Sequence, residues 1–409
     1  MSGSRETGAG RVPLMADTTG TRFSDLGLKK EVQEAIRANG FESPSDIQTK
    51  AIPYALEHMD LLCQAKSGKG KTAVFVLSVL HMINPDDAPG KIQALVLCNT
   101  HELATQITQE FERFSKGLPA VHDGILCTVG GVSVNAHVKT LEKRTTTILV
   151  GTVGRVYDLF ERKALALDSL KHFIVDEFDT VLKEEACRAK ISKLAEAMPK
   201  EHQTMLFTAT LTEEAKQHAT ALLRDPYETI AVDDNELVLT GLIQHYMAAP
   251  EEKKLSLLTD CLNTLHYTQA VVFASATHRA AALAKYLRDQ GHQCDAFYSR
   301  LPGKKRDLLY KSFKNRDARL LVATDVFQRG VDFEGVNLVI NFDMPDSSDS
   351  YLHRAGRAGR FETSGLVLSF VGSDEDRQQL EEIQKRFMVD MTEVQNLSAI
   401  DQKQCFSNK

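Results

Sequence analysis

Ala65-Lys66-Ser67-Gly68-Lys69-Gly70-Lys71-Thr72 stands between an apolar run, Asp60-Leu61-Leu62-Cys63, and a helix-like run from Ala73 to Leu80. Strand, glycine loop, helix is the order of a phosphate-binding loop. Gly68 and Gly70 permit backbone conformations that turn successive N–H groups toward an anion. Lys71 can reach the β- and γ-phosphates of a nucleotide, and the Thr72 hydroxyl can ligate Mg²⁺. The helix that follows adds the positive end of its dipole. The general consensus opens with Gly, where this chain has Ala65.

On either side of the loop, short apolar runs alternate with helical patterns. Leu61–Cys63, Ala94–Cys98, Ile125–Val129, Thr147–Val150, Phe173–Val175 and Met205–Phe207 read as strands; Phe23–Arg37, Glu102–Phe114 and Gly154–Phe160 read as helices. Wholly apolar strands between helices mean a parallel sheet covered on both faces. From Asp225 to His245 the periodicity fades into a polar stretch with Asp233-Asp234-Asn235-Glu236, which reads as a linker. Alternation resumes with strands Ala270–Ala274, Leu320–Ala323, Val336–Asn341 and Gly365–Val371, and with Thr277–Asp289 helical among them. The expected fold class is α/β, with two parallel-sheet domains in tandem joined by a short linker. The expected limits are a flexible tail over 1–22, a nucleotide-binding domain over 23–232, a linker over 233–241 and a second domain over 242–409.

At 409 residues the chain exceeds one ordinary core. No apolar run approaches the ~18 residues of a membrane helix, so no membrane partner is expected. The first residues are Gly-, Thr- and Ser-rich without an apolar h-region, unlike a secretory signal. Seven cysteines are scattered without a Cys-x-x-Cys and read as reduced thiols. The net charge of −6 argues against a strongly basic nucleic-acid binder but leaves room for a local basic cleft.

Asp176-Glu177-Phe178-Asp179 directly follows an apolar strand. Alone it would be an acidic turn. In the same domain as a phosphate loop, Asp176 is placed to hold the metal and Glu177 to position and deprotonate a water. Thr208-Ala209-Thr210 offers two hydroxyls that can join this acidic turn to a domain interface. His353-Arg354-Ala355-Gly356-Arg357-Ala358-Gly359-Arg360 carries arginines three apart, able to share one side of a turn or helix start. Such a cluster suits an arginine finger meeting developing phosphate charge, or else a solvated basic or nucleic-acid-facing surface. Ala323–Asp332 follows another strand, its Thr324 and Arg329 suited to RNA phosphate and its acidic end to the nucleotide sugar. Gly130-Gly131 and Thr152-Val153-Gly154-Arg155 are strand-end loops whose backbone N–H groups and arginine suit phosphate contact.

In this order the motifs resemble those of the DEAD-box RNA helicases of helicase superfamily two, from Phe23 to about Phe387. The resemblance implies two RecA-like domains that bind ATP·Mg²⁺ and single-stranded or short duplex RNA across their cleft. It implies that Gly40–Gln48 is an adenine-sensing Q motif, with Gln48 reading the adenine edge and Phe23 or Phe41 packing near it. Ala65–Thr72 matches the family's phosphate loop, which begins with Ala. Lys71, Glu177, Arg357 and Arg360 would be catalytic; Thr72 and Asp176 would hold the metal, and Asp332 the nucleotide. Gly131, Thr152, Gly154, Arg155, Thr324 and Arg329 would contact RNA, while Asp179, Thr208, Thr210 and His353 couple the domains. Stretches such as Leu62–Gly68, Phe114-Ser115-Lys116 and Tyr351-Leu352-His353-Arg354 look closest to the DECD-type branch. That branch implies a nuclear role in splicing and mRNA export, with partner proteins from those assemblies and some presence in the cytoplasm.

The departures fall mostly on the RNA side. His101 stands for the family's Arg in PTRELA, Val153 for the Pro of TPGR, and Gly303 for a Gln three residues before Arg306. Lys69 occupies a variable place in the loop. Phe178 replaces Ala or Cys, and its larger ring is expected to disturb contact with Thr208–Thr210. A guanidinium grips phosphate bidentately with a permanent charge and an imidazole does not, so His101 is expected to weaken RNA binding. The alternative is that His101 simply caps or packs at the strand end. Functionally, the alternative to a helicase is an RNA clamp or assembly scaffold that hydrolyses ATP slowly and unwinds little.

Overall fold

The computed structural model describes residues 20–65, 68–231, 242–298, 301–325, 333, 335–358 and 364–406. Two seven-stranded, wholly parallel sheets form in succession. The first contains β1 (Asp60–Gln64), β2 (Ala94–Cys98), β3 (Ile125–Thr128), β4 (Ile148–Thr152), β5 (His172–Val175), β6 (Gln203–Thr208) and β7 (Tyr227–Ala231). The second contains β8 (Leu242–Ala248), β9 (Gln269–Phe273), β10 (Cys294–Phe297), β11 (Leu320–Ala323), β12 (Val336–Asn341), β13 (Gly365–Val371) and β14 (Thr392–Glu393). The spatial orders are β3-β4-β2-β5-β6-β1-β7 and β10-β11-β9-β12-β13-β8-β14. Renumbered from their first strands, the two orders are identical.

Burial on both faces explains why the strands read as continuous apolar runs. In β2 all five residues are buried, yet Ala94, Val96 and Cys98 join one core cluster and Leu95 and Leu97 the other. In the second sheet Val272 and Val271 divide between two clusters in the same way.

The sequence reading needs correction in three respects. Phe23–Arg37 is not one helix: a 3₁₀ turn over Phe23–Leu26 ends at Gly27, at φ 74°, and a helix runs over Lys30–Ala38. The polar stretch 225–245 holds β7 and the start of β8, so linker character is not continuous through it. The narrower linker, 233–241, lies outside the described residues, as does the tail up to residue 19. Strand β10, with Cys294 and Phe297 buried and the two residues between them only partly so, and the two-residue strand β14 are further elements that the apolar-run criterion passed over.

Apart from Gly40–Gln48, which lies between two helices ahead of β1, the loops that the sequence singles out in the first half leave the carboxyl ends of strands, where ligands of open α/β sheets bind. The start of β1 is fixed from beneath. Asp60, 2% exposed, accepts the Thr204 N–H at 2.9 Å, the Arg224 N–H at 2.8 Å and the Arg224 guanidinium at 2.9 Å. Arg224 is partly exposed, so most of the cost of losing Asp60 lies in the two stranded N–H groups. Asp60→Ala is expected to destabilise the fold by about 2–3 kcal/mol in urea denaturation, the scale of hydrogen bonds to a charged group. A loss under about 0.5 kcal/mol, the range of ordinary surface changes, would contradict this role.

Candidate nucleotide and interdomain site

Lys71 opens the helix Lys71–Met82 that follows β1, and Gly70 at φ 86° and Gly68 at φ 80° form the turn before it. The Lys71 side chain is buried and its ammonium donates to the Ala65 carbonyl, which lays it across the loop. Lys66 and Ser67 lie outside the described residues. The Q-motif segment is bound directly to this loop. Ser45 Oγ donates to the Lys69 carbonyl at 2.7 Å, and Gln48 Nε2 donates to the Gly70 carbonyl at 3.2 Å. Gln48 Oε1 in turn accepts the Ser45 N–H at 2.9 Å. A Cβ at Gly70 would run into the Gln48 amide, so the contact requires glycine for space as well as for φ. Phe23 is buried in the core, whereas Phe41 packs on the core's edge and keeps part of its ring exposed.

The acidic turn after β5 is tightly wound. Glu177 takes φ 52°, a left-handed conformation, and its N–H returns to Asp176 Oδ1 at 2.9 Å. Burial, then the Glu177 charge, push the Asp176 carboxyl up to about 7, against the pull of Lys71. Glu177 Oε2 is buried with no hydrogen-bond partner among the described residues. Adjacent buried carboxylates, one with an orphaned oxygen, fit a hard cation with oxygen ligands. Among the described residues no three acidic, His or Cys side chains cluster as a metal cage.

Asp179 joins the two halves. Its Oδ2 accepts Thr210 Oγ1 at 2.9 Å from the same sheet and stands 3.2 Å from His353 Nε2 of the other half. Burial alone would raise this carboxyl; the bond and attraction from His353, with the Thr210 and Thr208 hydroxyls, hold it well below the usual carboxylate range. Phe178 does not disturb this junction, contrary to expectation. Its ring is fully buried in the core cluster of Leu97, Val175 and Leu206, and the Thr210–Asp179 bond is intact beside it.

The arginine cluster sits at the end of helix Ser348–Ala355 rather than at a helix start, which sets its charge against the negative pole of the dipole. Arg354 is 1% exposed and serves as framework: it binds Asp325 Oδ1 at 2.6 Å, the Asp343 carbonyl at 2.8 Å and Asn341 Oδ1 at 3.3 Å. Arg357 is buried as well, with Nε donating to the His353 carbonyl at 3.2 Å. Arg360, Arg329 and Asp332 lie outside the described residues, and Thr324 is buried at the end of β11.

On the loops after β3 and β4, Arg155 Nη1 donates to the Val132 carbonyl and to His137 Nδ1, both at 2.8 Å. It therefore binds the Gly131 loop to the start of helix Val153–Glu161, bringing Gly131, Thr152, Gly154 and Arg155 to neighbouring strand ends. Val153 fills a buried core place at the first helical position, where the family's Pro would also fit. His101 opens helix His101–Phe114, but the cap is Thr100, whose hydroxyl accepts the Leu103 N–H at 3.2 Å. His101 is thus not the cap, and its ring makes no hydrogen bond among the described residues.

Sequence reasoning missed a second bridge across the cleft. Glu102, buried, receives both Nε and Nη2 of Arg306, the latter at 2.7 Å from Oε2, and the guanidinium lies 5.1 Å over Phe297. Lys314 reaches Gln109 at 3.2 Å along the same pair of helices. Glu102 lies in the stretch that matches the family's PTRELA and Arg306 was marked by a family pattern too, but the pairing of residues 204 positions apart leaves no trace in one sequence. Gly303, at the start of that helix, has open space around it.

Residues 45–218 match the family model for the DEAD/DEAH box helicase, and residues 253–362 that for the helicase conserved C-terminal domain. ATP-dependent RNA helicase uap56 of Schizosaccharomyces pombe is 44% identical over 376 residues, covering 91% of this chain and 86% of that protein. The structure of Saccharomyces cerevisiae Dbp5 bound to RNA and ADP BeF3 superposes with TM-score 0.84 at 30% identity, over 91% of this chain and 95% of that one. A Dbp5 variant bound to Nup159, Gle1, IP6 and ADP superposes at only 0.62 and 27% identity, with 91% and 96% covered. The two halves here are therefore arranged more like the RNA-bound form.

The Asp176 carboxyl yields a pH test. Its folded value of about 7 exceeds its ordinary 3.8, so the folded state holds the proton more tightly and its advantage disappears as pH rises between those values. The nucleotide-free protein is expected to lose stability from pH 4 toward pH 7, with Asp176→Asn flattening that slope. Equal slopes for the two proteins in thermal melts would contradict the assignment.

Proposed function

The chain belongs to the DEAD-box ATP-dependent RNA helicases, and from that premise we propose how its residues divide the work of hydrolysing ATP to unwind or remodel RNA. The observation that carries the proposal is the Asp179 carboxylate, where the acidic turn, the Thr208–Thr210 segment and the His353 segment meet. A cleft closed at that point brings the nucleotide loop of one half against the arginines of the other.

In this reading the proposed domains run over 23–232 and 242–409. The loop N–H groups and Lys71 hold the β- and γ-phosphates, Gln48 reads the adenine edge, and Phe41 offers the exposed part of its ring to the base. Asp332 serves the sugar. Thr72 and Asp176 would hold Mg²⁺, which supplies charge neutralisation at the phosphate oxygens. Glu177, whose Oε2 has no hydrogen-bond partner among the described residues, orients the attacking water and takes its proton. Arg357 and Arg360 meet the charge that develops on the transferred phosphoryl group. RNA backbone lies along Gly131, Thr152, Gly154 and Arg155 of the first half and Thr324 and Arg329 of the second. Closure bends one strand of a short duplex, and hydrolysis resets the cleft. The likeness to the uap56 branch supports a nuclear place in splicing and mRNA export, with partners from those assemblies.

Lys71→Ala and Glu177→Gln separate binding from chemistry. Lys71→Ala should weaken nucleotide binding itself. Glu177→Gln should bind ATP and retain RNA while turnover falls by about 10²–10⁴, the scale of general base catalysis. ATPase rates with and without single-stranded RNA measure both; normal turnover in Glu177→Gln would remove the base assignment.

A further inference from the structure

Helix His101–Phe114 ends beside the loop that carries Phe41. Arg113, in its last turn, donates from Nε to Asn39 Oδ1 at 2.8 Å and from Nη2 to the Asn39 carbonyl at 3.4 Å. Nη1 lies 3.5 Å from Glu110 Oε1, a partly exposed pair worth little. The guanidinium carbon stands 5.1 Å from the Phe41 ring centroid and 5.3 Å from that of Phe114. The two rings are tilted at 55°, with centroids 5.6 Å apart. A cation and an aromatic ring thus hold Phe41, which remains partly exposed. Asn39 caps helix Lys30–Ala38, its Nδ2 donating to the Ala35 carbonyl at 2.8 Å, and Gly40 at φ 75° turns the chain into Phe41. Further on, Ser45 and Gln48 bind Lys69 and Gly70. The segment 39–48 is therefore anchored by Arg113 at one end and by the phosphate loop at the other.

We propose that Arg113 is a positioning residue for base recognition: it fixes Phe41 as a stacking platform and so sets the affinity and selectivity for adenine without touching the nucleotide. The inference rests on the reading of Gln48 and Phe41 as the base-binding pair. A ring left free would have to be immobilised when the base binds, and that ordering weakens binding. Arg113 removes the cost beforehand. Only a planar fork both stacks on Phe41 and grips Asn39, which a lysine cannot do.

The test is steady-state hydrolysis of ATP and GTP by the full chain with single-stranded RNA, for the native protein and for Arg113→Met, Arg113→Lys and Gln48→Ala, with melting temperatures alongside. Arg113→Met should raise KM for ATP roughly three- to tenfold, keep kcat within about twofold and narrow the preference for ATP over GTP. Arg113→Lys, which keeps a cation over the ring, should fall between, and it carries the same readout if Arg113→Met does not fold. A lower Tm with KM and base preference unchanged would make Arg113 a structural strut and overturn the proposal. If Gln48→Ala shifts base preference and the Arg113 variants do not, the proposal falls while the base-site reading stands. If none of them shifts it, both fall.

Discussion

A carboxylate buried between two domains must be paired, because an isolated charge there costs several kcal/mol. Asp179 meets that requirement at Oδ2, with the Thr210 hydroxyl from its own half and the His353 imidazole from the other, while Oδ1 is buried with no hydrogen-bond partner among the described residues. Its full set of partners exists only when the halves are together. Opening the cleft removes His353 and leaves Asp179 dependent on water and on Thr210. The state of the cleft is thereby written into the acidic turn that also holds Asp176 and Glu177. Glu102 and Arg306 place a second such pair farther along the cleft. A desolvated hydrogen bond at Asp179 and a desolvated ion pair at Glu102 give the closed arrangement a definite register, which apolar contact alone would not.

The repeated sheet explains how the two halves share a task with different residues. Both sheets place strands in the same spatial order, so both present carboxyl-end loops along one edge. In the first half these loops hold glycines, a lysine and carboxylates; in the second they hold the Arg354 network and Arg357. Arg354 shows that not every arginine of a basic cluster is free for a ligand. Its bonds to Asp325, Asn341 and Asp343 fix the end of helix Ser348–Ala355 from which Arg357 follows.

The phosphate loop, the acidic turn and the apolar strands around them were legible because each is local. Ala94–Cys98, Leu320–Ala323, Val336–Asn341 and Gly365–Val371 appear where their apolar runs stand. Strand β7, Tyr-Glu-Thr-Ile-Ala, was not legible, because a sheet edge buries only part of each residue and tolerates polar ones. Gly27 divided the first expected helix for want of any signal but itself. Contacts between distant positions were out of reach: Glu102 with Arg306, Arg113 with Phe41, and the core pocket that receives Phe178. The effect of Phe178 was misjudged because residue size was weighed without knowing which way the ring points.

Coupling between nucleotide and RNA through Asp179 is the centre of this account. The direct measurement is single-stranded RNA affinity with and without a non-hydrolysable ATP analogue, for the native chain and for Asp179→Ala. The native chain should bind RNA about 5- to 150-fold more tightly with the analogue, the usual range of coupling between sites. In Asp179→Ala that factor should fall below about twofold while the analogue still binds. Undiminished coupling in Asp179→Ala, with nucleotide affinity intact, would contradict it.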